Sequence, residues 1–218
     1  MEEIEKMKAF IFDLDGVIVF TDKFHYQAWK KMADRMGIYF DETINNRLRG
    51  VSRAESLEII LEKYEGEPLS AEKKAELMEE KNNTYRELLK TMTAADVTDQ
   101  VRATLKKLHE AGFKLAIGSS SKNAKFILEK VELLDAFDAI SDGNNISKSK
   151  PDPEVFVKAA EYVDEQVDKC LVVEDAKAGL QAAIAGGMDC AAIGDAVASG
   201  LGTYNLSAFA DLLKVTAK

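Results

Sequence analysis

The chain has 218 residues, 46% of them hydrophobic and 31% charged, with a formal net charge of −9. That length and apolar content can fill one large domain, or a compact core carrying a smaller insert. So acidic a chain repels nucleic acid and anionic membrane surfaces, so neither is expected as a partner, while small molecules, anionic ones included, remain.

The acidic start, Met1–Lys6, has no apolar run that would make a signal peptide or a membrane span. With Met7 just ahead of the first strand, it is expected to be a frayed extension. Lys8–Phe12 (KAFIF) is a short apolar run of β-formers that ends in acidic residues and a glycine, the pattern of a buried strand feeding a tight loop. From about Lys23 to Lys90 the apolar residues recur at helical spacing. Trp29, Met32, Ala33 and Met36 form one set, Ser56, Leu57, Ile60 and Leu61 a second, and Leu77, Lys81, Tyr85 and Leu88–Leu89 a third. No strand-like alternation interrupts them, so this stretch reads as a helical insert.

Beyond Thr91–Val97, helices and strands alternate. A helix is expected over Val101–Ala111 with Gly112 closing it, a strand over Phe113–Gly118, a helix over Lys122–Val131 and a short strand over Phe137–Ile140. Asp152 as N-cap and Pro153 in the first helical position mark a helix over Glu154–Val163. A strand at Cys170–Val173, a helix at Ala176–Ala185, a strand at Cys190–Ile193 and a final helix at Leu206–Leu213 complete the pattern. Such alternation implies a parallel sheet covered on both faces, with ligands at the carboxyl ends of its strands. The fold class is therefore α/β, a parallel-sheet, Rossmann-like core with an inserted α-helical cap. The core is expected over residues 1–20 and 92–218 and the cap over residues 21–91. Cys170 and Cys190 sit in apolar segments without metal-ligand spacing, and are expected to be buried, reduced thiols of a cytoplasmic protein. The composition is compatible with a monomer.

The central motif is FDLDGV, Phe12–Val17. Asp13 and Asp15 leave the end of an apolar strand, whereas a solvated face would scatter its charges along helices. An ionised carboxylate can attack phosphorus to form an acyl phosphate, and a second can act as general acid and base. Approach to an anionic phosphate needs a divalent cation, and carboxylate oxygens suit Mg2+. Glu174 and Asp175 leave the end of a second apolar strand. Alone they could be an N-cap pair; beside Asp13 and Asp15 they read as a magnesium site, because four like charges cannot share a place without a metal. Gly118–Asn123 (GSSSKN) places hydroxyls and a helix start at the same sheet edge, although an ordinary loop would also look like this. Lys150 precedes Pro151, which biases it towards an extended backbone.

The order DxDGV, strand followed by Ser, Lys-Pro, Glu-Asp resembles the haloacid dehalogenase superfamily over the whole chain. Within it, FDLDGV with Thr21, His25 and Ala28–Trp29, then LRGVSRAESL at Leu48–Leu57, KNNTY at Lys81–Tyr85, SSSKN at Ser119–Asn123, SKPDP at Ser149–Pro153 and EDAKAG at Glu174–Gly179 resemble the β-phosphoglucomutase family. The resemblance implies interconversion of β-glucose 1-phosphate and glucose 6-phosphate through glucose 1,6-bisphosphate. Asp13 would be the nucleophile and Asp15 the acid/base. The Asp13 side chain, the Asp15 backbone carbonyl, Glu174 and Asp175 would hold Mg2+. Ser119 and Lys150 would grip the transferring phosphate, with Ser120 in the same segment, and Arg53, Ser121, Lys122 and Asn123 the other phosphate. Thr21, His25, Trp29, Gly50, Val51, Ser52, Ser56 and Lys81 would face the sugar or position Asp15. Arg53 suits a phosphate because a guanidinium binds it through two parallel hydrogen bonds. Two departures stand out. Phe20 occupies a position usually acidic in the family, which bears on cap closure, and Arg49 stands where close relatives often carry Lys. A sugar-phosphate phosphatase on the same scaffold is the alternative, differing only in whether water accepts the phosphoryl group. A non-catalytic binding protein would be expected to lack at least one of Asp13, Asp15, Lys150 or the Glu174–Asp175 pair, and all are present.

Overall fold

Four consecutive apolar residues, Ala9–Phe12, form strand β1, and all four are fully buried. In the computed structural model, residues 7–48 and 51–215 are described. The expected frayed extension at Met1–Lys6, together with Arg49 and Gly50, lies outside the described residues. The insert follows β1 as helices α1 (Asp22–Arg35), α2 (Glu42–Asn46), α3 (Arg53–Leu61) and α4 (Ala71–Leu89). Then come α5 (Asp99–Glu110), β2 (Lys114–Gly118), α6 (Ala124–Lys130), β3 (Ala139–Ser141), α7 (Glu154–Tyr162), β4 (Cys170–Glu174), α8 (Lys177–Ala185), β5 (Asp189–Ala192), β6 (Tyr204–Asn205) and α9 (Leu212–Val215). By contact the chain divides into Met1–Phe20 with Thr93–Lys218, and Thr21–Met92. The second boundary thus follows Met92.

The first unit is an α/β core. Its sheet runs β3-β2-β1-β4-β5-β6, with every pairing parallel. Side chains alternate across β1. Ala9 and Ile11 join a core with Val155, Phe156 and Ala159 of α7 and Leu180, Ala182 and Ala183 of α8. Phe10 and Phe12 face the other way. Phe12 meets Phe137 and Phe209, with ring centroids 6.1 and 5.6 Å away. Helix α5 packs on β2 and on the turn carrying Phe209, so this face is covered as well. A strand buried on both faces must be apolar throughout, as KAFIF is. Phe12 lies opposite Ile117 of β2 and Val173 of β4. The carboxyl ends of the three strands are therefore level where the strand order switches direction, at the natural ligand position of such sheets.

The second unit has a core of its own. Trp29, Met32 and Ala33 of α1, Ile38, Phe40, Ile44, Leu48, Leu57 and Ile60, and Leu77 of α4 pack into one cluster. The long helical pattern resolves into four helices, with no strand among the described residues of this segment.

Three local expectations change. The final helix does not begin at Leu206: Tyr204–Asn205 is a strand, and the Leu206 amide donates to Ala192 O at 2.8 Å, prolonging the pairing with β5. The amides of Ser207 and Ala208 then donate to Asp211 Oδ2, so the chain turns through Phe209–Asp211 before α9. In α7, Pro153 rather than Asp152 takes the cap position. Asp152 still supplies the capping oxygen, accepting from the Glu154 amide at 3.1 Å. Helix α6 begins at Ala124 rather than Lys122, because the Ser119–Asn123 loop closes on itself through Ser119 and Ser121 hydroxyls. Cys170 and Cys190 are buried free thiols. Burial pushes Cys170 up to about 12 and Cys190 upwards too, so neither is a ready thiolate. No helix among the described residues is long and apolar enough to cross a membrane.

Phe12 is the test of where stability resides. Phe12→Ala should cost about 3–5 kcal/mol, since it empties a fully enclosed site, whereas Ile184→Ala on the exposed face of α8 should stay within about 0.5 kcal/mol. Urea unfolding of both variants measures this; equal midpoints would show that β1 is not the core of the unit.

Candidate active site

Asp13 follows β1 directly, and its amide donates to Val173 O at 2.9 Å, which locks it beside β4. Glu174 ends β4 and Asp175 follows. Oxygens of Asp13, Glu174 and Asp175 all lie within 4.8 Å of one another, with Asp13 and Glu174 buried and Asp175 half-buried. Two glycines make room. Gly16 has φ +94°, and a Cβ there would fall 2.0 Å from Asp175 Oδ2. A Cβ on Gly179 would fall 2.1 Å from the Glu174 carboxyl carbon. Both glycines let backbone approach a carboxylate more closely than any other residue allows. The Asp15 side chain stays outside the converging group and is half-buried. Its segment is folded over by the amides of Ile18 and Val19, which both donate to Leu14 O at 3.0 Å.

Lys150 enters from the segment before α7, where the Lys150–Pro151 bond is cis. Its ammonium donates to Asp13 Oδ1 at 2.5 Å and to Glu174 Oε2 at 3.0 Å, and lies 4.5 Å from the Phe156 ring centroid. Burial would strip its proton, but the two carboxylates more than offset that and hold its pKa above the ordinary value. For Glu174, burial and then the Asp13 charge raise the pKa well above the carboxylate range, against the pull of Lys150. Lys150 thus meets two of the three carboxylates that converge here. An oxygen-only donor set with surplus negative charge suits a hard divalent cation, which would restore Glu174 to its ionised form.

The loop after β2 lies at the same sheet edge. Ser119 is buried and Ser119 N donates to Ser141 O at 3.0 Å. Ser119 Oγ accepts from the Ser121 amide, and Ser121 Oγ from the Asn123 amide, both at 3.2 Å. Lys122 is exposed, and Asn123 is buried at the start of α6. Ser120 Oγ is buried and finds no hydrogen-bond partner among the described residues. A buried hydroxyl in that state has a donor to give.

In the insert, Thr21 stands at the start of α1, but its hydroxyl caps nothing and pairs with Tyr85 Oη of α4 at 2.8 Å. His25 stacks on Tyr85 with centroids 4.1 Å apart, and its Nδ1 lies 2.9 Å from Lys81 Nζ. The same ammonium sits over the rings of Trp29 and Tyr85, 4.9 and 4.6 Å from their centroids. Burial, then Lys81, then Arg53 hold the His25 pKa well below its ordinary value. Arg53, half-buried at the start of α3, donates to Asn82 Oδ1 at 2.8 Å. Burial lowers its pKa against the pull of Glu79. Ser52 closes a capping box with Glu55, donating N–H to Oε2 at 2.9 Å while its Oγ accepts from Glu55 N. Its hydroxyl is therefore engaged locally. Val51 is half-buried and Ser56 is buried in α3. Gly50 lies outside the described residues.

Sequence reading missed Tyr85, Asn82 and Phe156 as partners of these groups. In the sequence Tyr85 is an apolar position of a helical repeat and the last residue of the KNNTY motif; that its hydroxyl meets Thr21 depends on the α1–α4 packing.

The family model for haloacid dehalogenase-like hydrolases matches residues 7–187. The chain is 42% identical over 190 residues to the β-phosphoglucomutase of Bacillus subtilis (strain 168), covering 86% of this chain and 84% of that protein. It is also 30% identical over 185 residues to a phosphorylated carbohydrates phosphatase of Thermotoga maritima, with 84% and 83% covered. The crystal structure of a β-phosphoglucomutase from Clostridium difficile matches with a TM-score of 0.88 at 35% identity, over 94% of this chain and 93% of that one. With three carboxylates at the ends of adjacent parallel strands β1 and β4 and a lysine reaching them from the segment before α7, the chain belongs to the haloacid dehalogenase-like hydrolase family.

Proposed function

We propose that the chain is a magnesium-dependent β-phosphoglucomutase acting through phospho-Asp13 on a small sugar phosphate. The observation that carries the reading is the buried Asp13, held by Lys150 at 2.5 Å beside Glu174 and Asp175. The identity to β-phosphoglucomutases supports the choice of sugar chemistry. Asp13, Glu174 and Asp175, with the Asp15 carbonyl, would hold Mg2+, which supplies charge neutralisation between carboxylate and phosphate.

In this reading phospho-Asp13 gives its phosphoryl group to the C6 hydroxyl of β-glucose 1-phosphate. The new P–O6 bond forms as the acyl-phosphate bond breaks, and Asp15 takes the hydroxyl proton. The resulting glucose 1,6-bisphosphate turns round. Its C1 phosphate returns to Asp13, Asp15 gives the proton to O1, and glucose 6-phosphate leaves. Lys150 and Ser119 hold the transferring phosphate, with the unsatisfied Ser120 hydroxyl in the same loop. The family resemblance assigns the other phosphate, whichever end of the bisphosphate it is, to Arg53 of the insert and to Ser121, Lys122 and Asn123 of the core. Asn82 fixes the plane of the Arg53 guanidinium. An ammonium has only donors, so Nδ1 of His25 accepts from Lys81 and the ring carries its proton on Nε2. His25 is thereby a neutral donor in the first turn of α1, the form in which the family resemblance would have it position Asp15.

The deciding assay combines β-glucose 1-phosphate, magnesium and a trace of glucose 1,6-bisphosphate, and scores glucose 6-phosphate and free phosphate together. Glucose 6-phosphate without phosphate release is expected. Free phosphate with little isomerisation would make the chain a sugar-phosphate phosphatase, the activity named for the Thermotoga relative, with Phe20 in the family's acidic position as the suspect.

Gly179→Ala should displace Glu174, because the new Cβ and the carboxylate would claim one space. Magnesium affinity by calorimetry should fall at least about tenfold; undiminished affinity would remove Glu174 from the metal site. His25 gives a pH signature. Its folded pKa lies below the unfolded value of about 6.5, so protonation favours the unfolded chain. Its contribution is intact above pH ~6.5 and is lost as pH falls below that, at up to about 1.4 kcal/mol per pH unit. Between pH 7.5 and 5.5 the wild type should therefore lose more stability than His25→Gln. Parallel losses would mean that His25 is not held neutral.

A further inference from the structure

The carboxylate of Glu154, at the start of α7, has no part in the chemistry above, yet four donor contacts converge on it. Its Oε2 accepts from Ser147 N at 2.9 Å, Ser147 Oγ at 2.9 Å and Lys148 N at 2.8 Å. Its Oε1 pairs with Lys158 at 2.8 Å, one turn along α7. Lys158 also donates to Asn145 O at 2.5 Å. These bonds, that to Lys158 first, hold the Glu154 carboxyl down to about 2, so it keeps its charge throughout the physiological range.

An acid in a first helical turn usually has a plainer explanation, the favourable helix dipole. The dipole needs only charge. It does not account for three donors from a separate segment converging on a single oxygen. That segment, residues 142–150, leaves β3 and ends in Lys150. At its near end Gly143 N donates to Ser121 O at 3.2 Å and Asn144 Nδ2 to Lys122 O at 3.0 Å. A Cβ on Gly143 would meet Ser120 O at 2.5 Å, so the segment lies directly against the Ser119–Asn123 loop. At its far end, Glu154 clamps the two residues Ser147 and Lys148, and Asp152 N donates to Ser149 O at 3.0 Å. The strap thus joins the Ser119–Asn123 loop to Lys150, and Glu154 is its anchor on the rigid core.

We propose that Glu154 is a positioning residue: it fixes the strap that aims Lys150 at Asp13 and ties Lys150 to the serine loop. The proposal rests on the reading of Lys150 as the grip on the transferring phosphate. Ser147 and Lys148 are exposed, so their amides would find water once Glu154 is removed. Fold stability should therefore change little, while the aim of Lys150 is lost.

The test is a double-mutant cycle of Glu154→Ala and Lys150→Ala, with Glu154→Gln as the conservative variant. It is read as magnesium-dependent hydrolysis of 4-nitrophenyl phosphate, and as affinity for orthovanadate with magnesium, which needs no turnover. Glu154→Ala should lower kcat or vanadate affinity at least tenfold in the wild-type background, with a thermal midpoint within a few degrees. Glu154→Gln, which keeps an acceptor for the amides, should recover part of that loss. In the Lys150→Ala background, Glu154→Ala should have less than a twofold effect. The same loss in both backgrounds, or no loss in the single variant, overturns the proposal. A wild type that hydrolyses 4-nitrophenyl phosphate without isomerising glucose 1-phosphate overturns the mutase reading alone.

Discussion

The core unit is organised around an electrostatic imbalance. Asp13, Glu174 and Asp175 hold their oxygens within 4.8 Å of one another, while Lys150 bonds to two of the three. At an effective dielectric of ~20, two ionised carboxylates at that spacing repel by about 3.5 kcal/mol. Folding tolerates this for two reasons. The Lys150 ammonium offsets part of the repulsion, and Glu174 holds its proton more tightly than a free carboxylate does. Lys150 is therefore as much a structural residue as a chemical one. Without it, two buried acids would lose the only cation the described contacts give them, and breaking such a pair is costly. A divalent cation would complete the balance, so the same charge excess that Lys150 offsets in part is what a metal would neutralise.

Much else in the core follows from having to bring these charges together. Parallel strands β1 and β4 must be neighbours, which the switch in strand order provides. Both strands must be apolar on either face, so that the polar atoms emerge only at the ends. The two glycines are then required by volume: Gly16 yields to Asp175 and Gly179 to Glu174. The acidic strand ends and these nearby glycines are one device seen from two sides.

This is also why the core was legible in sequence and the insert less so. An apolar run ending in carboxylates is a local signal, and FDLDGV and CLVVEDAKAG each state it within ten residues or fewer. Lys150 was legible through Pro151. The contacts that matter in the insert are not local. Thr21 and Tyr85 are 64 positions apart, His25 and Lys81 56 apart, and Arg53 and Asn82 29 apart. A helical repeat predicts that Tyr85 and Lys81 face inwards, but not which groups they meet. Ser52 shows the converse limit: a residue in a telling motif has its hydroxyl engaged in capping its own helix. Tyr204–Asn205 was missed because a two-residue strand has no periodicity to read.

The division between legible core and opaque insert matches a division of chemical labour. In the proposed mechanism, the residues that would make phospho-Asp13 all lie in the core unit, at the ends of β1, β2 and β4 and on the strap before α7. A mutase and a phosphatase share that step and differ only in the acceptor. Water needs no binding site, whereas a sugar phosphate must be held by its second anion while its hydroxyl is presented. A lone lysine would supply charge without direction; a guanidinium braced by an amide supplies a fixed fork, which Arg53 and Asn82 form in this insert. The cluster of Thr21, Tyr85, His25, Lys81 and Trp29 adds a neutral imidazole that keeps a donor available near neutral pH. Half-buried Arg53 and buried Lys81 carry a desolvation cost that the Asn82 oxygen, the His25 ring and two aromatic faces offset in part, and under the mutase proposal the anion of a sugar phosphate would offset more.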